Sequence, residues 1–207
     1  MERLQMYLRL SERIPGWTRG AEAMALAERA YSLPPGAIVV EIGTFFGSGA
    51  VLLAGARKLQ RSGKVHCVDP FDASGDEFSV PHYQAIISAH SGLAPREQFD
   101  EHMRKSGLAA WVVAHEGTAE QIAATWNTPI DLLFIDGDQS PAGARSAYLA
   151  WAPWLKAGGV LALHNSDPHE YADGHDGHFR VAQEFVKAPA YDTVEVIGSI
   201  TFGRKAL

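Results

Sequence analysis

The stretch from Ala37 to Leu53 reads A-I-V-V-E-I-G-T-F-F-G-S-G-A-V-L-L. Ala37 to Ile42 is a short apolar run rich in β-branched residues and set off by Pro34-Pro35-Gly36, which predicts a strand buried on both faces. A helix is predicted over 48–61, carrying Val51, Leu52 and Leu53 and ending by Gly63. Between the two stand Gly43, Gly47 and Gly49, residues that let the backbone take positive φ and come close to a ligand. A strand, a glycine turn and a helix N-terminus together predict a ligand cradle. Glu41 adds a negative charge at the carboxyl end of that strand, where open α/β sheets bind their ligands.

Upstream, residues 2–13 predict a short helix with Met1, Leu4, Tyr7 and Leu8 on one side, ended by Pro15-Gly16. Thr18 is the expected N-cap of a second helix over 21–32. Downstream, strands are expected at Lys64 to Asp69, Ala110 to Ala114, Asp131 to Asp136 and Val160 to His164. Helices are expected over 95–106, from Thr118 as N-cap, after Pro141, and over Phe179 to Lys187. Residues 73–91 are punctuated by Gly, Ser and Pro and place no clear element, a candidate lid or substrate loop; 165–178 reads as a loop rich in His and acids, and Gly158-Gly159 as a turn into the fifth strand. The end, T-V-E-V-I-G-S-I-T-F-G-R-K, predicts a hairpin about Gly198-Ser199. Five strands separated by helices and closed by a hairpin predict one doubly wound α/β domain over 1–207, with a seven-stranded, mostly parallel sheet, an antiparallel C-terminal pair and an N-terminal helical extension over 1–33.

At 207 residues, 46% hydrophobic and 20% charged, the chain has the composition of an ordinary globular domain. A net charge of -6 without a Lys/Arg run argues against nucleic acid as a partner. No stretch approaches the ~18 apolar residues that a membrane span requires. The single cysteine, Cys67, sits in an apolar run and predicts a core thiol in a reducing, cytoplasmic setting. The apolar side of the first helix needs a cover, for which a second subunit is expected, making a homodimer.

A dinucleotide fingerprint would place G-x-G-x-x-G after the first strand, whereas here the spacing is G-x-x-x-G-x-G beside an acid. A zwitterion or cation with an adenosine tail suits Glu41 better than a bare anion, and Asp69 is placed for ribose hydroxyls. E-I-G-T-F-F-G-S-G, V-D-P-F-D, G-T-A-E-Q, F-I-D-G-D-Q-S and L-K-A-G-G-V-L-A-L-H-N resemble the successive motifs of class I S-adenosylmethionine-dependent methyltransferases with a Rossmann-like fold. The resemblance covers about residues 17–204. It is nearest to small O-methyltransferases acting on antibiotic and sugar hydroxyls, and more distant to catechol O-methyltransferase.

That resemblance implies methyl transfer from S-adenosylmethionine to a hydroxyl of a small molecule, such as a natural product or sugar. It implies that Glu41, Gly43, Thr44, Gly47, Ser48 and Gly49 surround the methionine part, with Ser48 standing in for the Ser or Thr that relatives carry at Gly49. It places Asp69 at the ribose, Gly117, Thr118, Ala119 and Glu120 around the adenine, and Asp136 beside the cofactor. In the relatives the first Asp of the D-G-D motif and an acidic pair after the fifth strand hold a divalent ion, commonly magnesium, and the second Asp serves as base. Carried over, Asp136, His164 and Asn165 are candidate metal ligands and Asp138 the candidate base. The pair His164-Asn165 departs from the acidic pair, and imidazole suits other metals better than magnesium. The open alternatives are a metal-bound site, a metal-free site with His164 as general base, and a structural His164. Gln139 replaces the lysine of catechol-type enzymes. Loop 165–178 is either a solvated lid or a further set of ligands, and Trp17, Phe45, Phe46, Phe71 and Tyr171 are candidates for an aromatic pocket or for core. Two rival functions are a noncatalytic S-adenosylmethionine-binding scaffold and a metal-dependent hydrolase using the histidine-rich loop.

Overall fold

The computed structural model describes residues 2–89 and 92–207. Its elements, in order, are α1 (Glu2–Ser11), α2 (Gly20–Ser32), β1 (Val39–Ile42), α3 (Ser48–Leu59), β2 (Val65–Asp69), α4 (Ser79–Ala89), α5 (Pro95–Lys105), β3 (Val112–Glu116), α6 (Ala119–Ala123), β4 (Ile130–Ile135), α7 (Pro141–Trp151), β5 (Leu155–Leu163), α8 (Gly177–Phe185), β6 (Tyr191–Ile197) and β7 (Ile200–Lys205). The seven strands form one sheet in the order β3-β2-β1-β4-β5-β7-β6. β1 to β5 pair in parallel and β7 runs antiparallel to both β5 and β6, as the hairpin at Gly198-Ser199 requires. The expected doubly wound fold is therefore the fold of the chain.

Strand alternation divides the core into two layers. Val39, Cys67, Leu132, Phe134 and Ala162 face α1, α2, α3 and α5, while Val40, Ile42, Val68, Leu133, Ile135 and Leu163 face the side of α7 and α8. In the first layer Tyr7 lies on Gly55 of α3, where an added Cβ would come within 2.2 Å of the Tyr7 ring. Leu4 and Tyr7 are buried this way inside the chain itself. The apolar side from which a homodimer was expected is thus already covered by α3, and it gives no reason for a second copy. Met1, expected on the same side, lies outside the described residues.

Arg57 of α3 is fully buried, with its guanidinium spread over the carbonyls that end α2. Nη1 donates to Ala30 and Leu33, Nη2 to Pro34, and Nε to Ser62. A cation facing the C-terminal carbonyls of a helix is held by both hydrogen bonding and the helix dipole.

Three elements depart from expectation. Residues 79–89, within a stretch read as loop, form α4, because Pro81 falls in the first turn, where a missing N–H costs no bond. β5 begins at Leu155, since Gly158 (φ +74°) lets the strand bulge and continue where a turn was expected. The N-cap of α2 is Arg19 rather than Thr18, with the Arg19 amide donating to Glu22 Oε1 at 3.2 Å. Among the described residues no helix is long and apolar enough to cross a membrane.

Candidate active site

The carboxyl ends of β1, β2, β4 and β5 open onto one cleft of about 520 Å³, within the range of small-molecule sites. Glu41, Gly43, Thr44, Ser48, Gly49, Asp69, Gly117, Thr118, Ala119, Glu120, Asp136, Asp138, His164 and Asn165 all line it. Residues spread over more than a hundred positions of the chain meet here because parallel strands end at one rim. Gly47 does not reach the wall. Its φ of +92° turns the chain into α3, and its α-carbon packs on Met103 and Phe99 of α5.

The turn after β1 is held by close backbone approach. A Cβ on Gly43 would meet Gly137 Cα at 2.4 Å, so the ends of β1 and β4 pack backbone on backbone. A Cβ on Gly49 would fall 2.1 Å from Glu41 Oε1, so the start of α3 lies directly on that carboxyl. Glu41 is buried and receives the Thr44 hydroxyl at 2.5 Å. Burial, only partly offset by Thr44 and reinforced by the charges of Asp136 and Asp69, pushes its pKa up to about 8. The expected fixed negative charge is therefore a proton-bearing carboxyl at neutral pH, and a cation beside it would draw the proton off.

Asp69 is engaged by backbone. Its Oδ2 accepts from Phe45 N at 2.8 Å and its Oδ1 from Phe71 N at 2.7 Å, two residues with positive φ. Burial raises its pKa and these amides pull against that rise. Ser48 is engaged as well: its hydroxyl donates to Ser11 O at 3.1 Å and accepts from Arg19 Nη1 at 2.8 Å. Both its donor and an acceptor lone pair are thus committed to the N-terminal segment, which speaks against the carboxylate-binding role expected for it. Thr118 caps α6 with a reciprocal pair of bonds to Gln121, as its sequence context predicted.

At the end of β5, His164 is buried between two carboxylates. Nδ1 lies 2.6 Å from Asp136 Oδ1 and Nε2 lies 3.6 Å from Glu22 Oε1. Burial opposes a charged imidazole, but Asp136 and Glu22 outweigh it and push the pKa up to about 10. Glu22 moves the other way: burial opposes its charge, while His164 and the amide and hydroxyl of Ser199 bring it down to about 2. Neither His164 nitrogen is open to an acceptor, which removes the geometry of a neutral general base. Asn165 donates to Gln139 Oε1 at 2.9 Å. Asp136 thus bonds His164 directly and Asn165 bonds Gln139, so each of the three expected ligands is already engaged by a protein partner, and among the described residues no group of three or more His, Cys, Asp or Glu is arranged to hold a metal. The residues present do not fit the expected ion.

Asp138, the candidate base, is exposed at the rim, and its Oδ1 accepts from Ser140 N at 2.8 Å over the start of α7. On the opposite side Trp17, Phe45 and Tyr83 form an aromatic wall, with ring centroids 5.2 to 5.9 Å apart. Phe46 and Phe71 are core, and Tyr171 bonds Asp167 away from the lining. The expected solvated lid over 165–178 turns inward at two points. His175 and His178 are buried, and His178 Nδ1 donates to the His164 carbonyl at 2.8 Å. Sequence reading missed Glu22, which falls inside the expected second helix, and Tyr83, in the stretch taken as a lid or substrate loop. No local signal marks either, since their place depends on how α2 and α4 pack on the rim.

A family model described as "Methyltransferase domain" matches residues 40–166, which hold β1 to β5 and most of the cleft. Among solved structures the chain is similar to cofactor-bound Rv0187 from MTB, with 18% identity, a TM-score of 0.67, and 99% of this chain and 90% of that one covered. It is similar to the O-methyltransferase TomG from Streptomyces achromogenes, involved in tomaymycin synthesis and solved with S-adenosylmethionine, with 19% identity, a TM-score of 0.64, and 100% and 90% covered. It is also similar to the methyltransferase PaMTH1 from Podospora anserina, bound to S-adenosylhomocysteine, with 15% identity, a TM-score of 0.65, and 99% and 88% covered. At these identities the structures speak for the fold, while the family model spans more than half of the chain: the chain belongs to the methyltransferase-domain family.

Proposed function

We propose that the chain transfers a methyl group from S-adenosylmethionine to a hydroxyl of a small molecule in the cytoplasm. The observation that carries this reading is the meeting of five separated motifs on one cleft at the carboxyl rim of the sheet. In this reading the turn from Gly43 to Gly49 takes the methionine part, with Glu41 giving up its proton to face the ammonium group. Asp69 keeps lone pairs for ribose hydroxyls beyond the two amides it already accepts. Gly117 to Glu120 would border the adenine, and Asp136, paired with His164, would stand beside the cofactor.

Methyl transfer is an in-line displacement, so the chain's task is to place an acceptor oxygen opposite the sulfur and keep water out. The aromatic wall of Trp17, Phe45 and Tyr83 offers the surface for that acceptor. TomG, an O-methyltransferase involved in tomaymycin synthesis, is similar in fold and supports a small-molecule acceptor. Asp136, His164 and Asn165 act here as a hydrogen-bonded wall without an ion. Calorimetry with S-adenosylmethionine, S-adenosylhomocysteine and NAD tests the reading. Binding of the first two at micromolar concentration or tighter is expected, and preference for NAD would remove it.

A further inference from the structure

Two segments that the sequence left as loops meet over the cleft. Asp76, ahead of α4, and His175, ahead of α8, are 99 positions apart, yet His175 Nδ1 stands 3.0 Å from Asp76 Oδ1. Both side chains are buried, with residue exposures of 4% and 8%. Asp76 is itself fixed, since Oδ1 also accepts from Ser79 N at 2.9 Å and Oδ2 faces Gln139 N at 3.4 Å. The Ser79 hydroxyl lies 3.5 Å from the same Nδ1. An ionised carboxylate only accepts, so the shared proton sits on Nδ1, and in the neutral imidazole Nε2 then carries the lone pair. His175 is part of the cleft wall, and no described residue bonds its Nε2.

The other candidates lack this combination. Both nitrogens of His164 face carboxylates. Asp138 is exposed and tied to the amide of Ser140, the N-cap of α7. A base for a hydroxyl must present a free lone pair inside the cleft and have its conjugate acid stabilised once the proton arrives. His175 meets the first condition through its free Nε2, and buried Asp76 meets the second.

We propose that His175 Nε2 is the general base that takes the acceptor's hydroxyl proton, with Asp76 as its positioning residue. This rests on the methyl-transfer reading above. In the step, the acceptor oxygen forms a bond to the methyl carbon as the carbon–sulfur bond breaks and sulfur keeps that electron pair. The O–H proton goes to Nε2. The products are a methyl ether, the neutral thioether S-adenosylhomocysteine and an imidazolium paired with Asp76, which later loses its proton to solvent.

The test begins with nitrogen-15 NMR of the histidines in the wild-type protein, free and with S-adenosylhomocysteine. An unprotonated Nε2 and a protonated Nδ1 are expected for His175, and a proton fixed on Nε2 at neutral pH overturns the proposal without any variant. Asp76→Asn is expected to give a mixture of tautomers; an unchanged tautomer together with unchanged turnover removes Asp76 from the positioning role. Labelled-methyl transfer from S-adenosylmethionine to a panel of phenols, catechols and sugars supplies the rate. His175→Gln should lower turnover by ~10² to 10⁴ while calorimetry finds cofactor affinity kept. Turnover within threefold of wild type defeats the proposal. Absence of cofactor binding, or of any labelled product with wild type across the panel, removes the methyl-transfer reading itself. That failure is distinct, because both are read before any variant is made.

Discussion

Glu22 of α2 and His164, the residue after β5, face each other behind the cleft wall, Oε1 to Nε2 at 3.6 Å, and join the N-terminal extension to the sheet. Glu22 Oε2 meanwhile holds the hairpin turn through Ser199 N at 2.6 Å and Ser199 Oγ at 2.8 Å. One side chain thus links three parts of the chain that are far apart in sequence.

This arrangement predicts how stability varies with pH. The His164 pKa rises on folding from 6.5 to about 10, so its contribution is complete below pH 6.5 and is lost as pH climbs toward 10. Glu22 falls on folding from 4.5 to about 2, so its contribution is complete above pH 4.5 and is lost as pH drops toward 2. Glu41, raised to about 8, adds a loss of stability between pH 4.5 and 8. The difference between wild type and His164→Gln isolates the imidazole. Urea unfolding from pH 8 to 10 should show a wild-type slope steeper by up to ~1.4 kcal/mol per pH unit. Parallel slopes in the two proteins would show that His164 is not held as a cation.

Cofactor binding should release a proton. Glu41 carries one at pH 7 in the surroundings the protein gives it, and an ammonium group beside it favours the carboxylate. Calorimetry at pH 7 in buffers of different ionisation enthalpy should find release of roughly one proton per S-adenosylmethionine bound. Glu41→Gln should abolish the release and weaken binding by ~1.5 to 3 kcal/mol. Release that persists undiminished in Glu41→Gln would assign the proton elsewhere.

Arg57 predicts a stability effect without a functional one. Arg57→Met removes the donors from the carbonyls of Ala30, Leu33, Pro34 and Ser62, and leaves buried acceptors without partners. A loss of ~2 to 4 kcal/mol in urea unfolding is expected. Cofactor affinity should stay as in wild type at temperatures where the variant is folded.

The fit of the D-G-D region to a metal is tested by chelation. With Asp136 bonded to His164 and Asn165 to Gln139, prolonged EDTA treatment should leave turnover unchanged, and added magnesium should not raise it. Loss of rate restored by magnesium would show that Asp136 leaves His164 to bind an ion.

Much of the sheet and half of the cleft were legible in the sequence because each strand is a short apolar run closed by Gly, Asp or Asn, and a parallel sheet brings those closures to one rim. Gly43 and Gly49 announce close approach, and the structure supplies the neighbours: Gly137 and the Glu41 carboxyl. Residues whose role depends on the packing of segments remote in sequence were not legible. Glu22 reaches His164 only because Tyr7 lies on Gly55 and Arg57 ties α2 to α3. His175 looked like one of several histidines in a polar loop, since its partner Asp76 stands in another loop. Protonation was also misread: Glu41 is an acid in the sequence, but only its burial shows that it holds a proton.

The hold of Asp69 on Phe45 and Phe71 has a kinetic consequence. Both residues sit at positive φ, with φ of 46° and 53°, and their amides are fixed on one buried carboxylate of the protein itself. An incoming molecule therefore meets a socket already set, with no slow rearrangement of that turn after encounter. Stopped-flow traces of cofactor association should be single-exponential, with rates that climb linearly with concentration. In Asp69→Ala the turn must order itself each time a ligand arrives, and the same plot should bend toward a plateau.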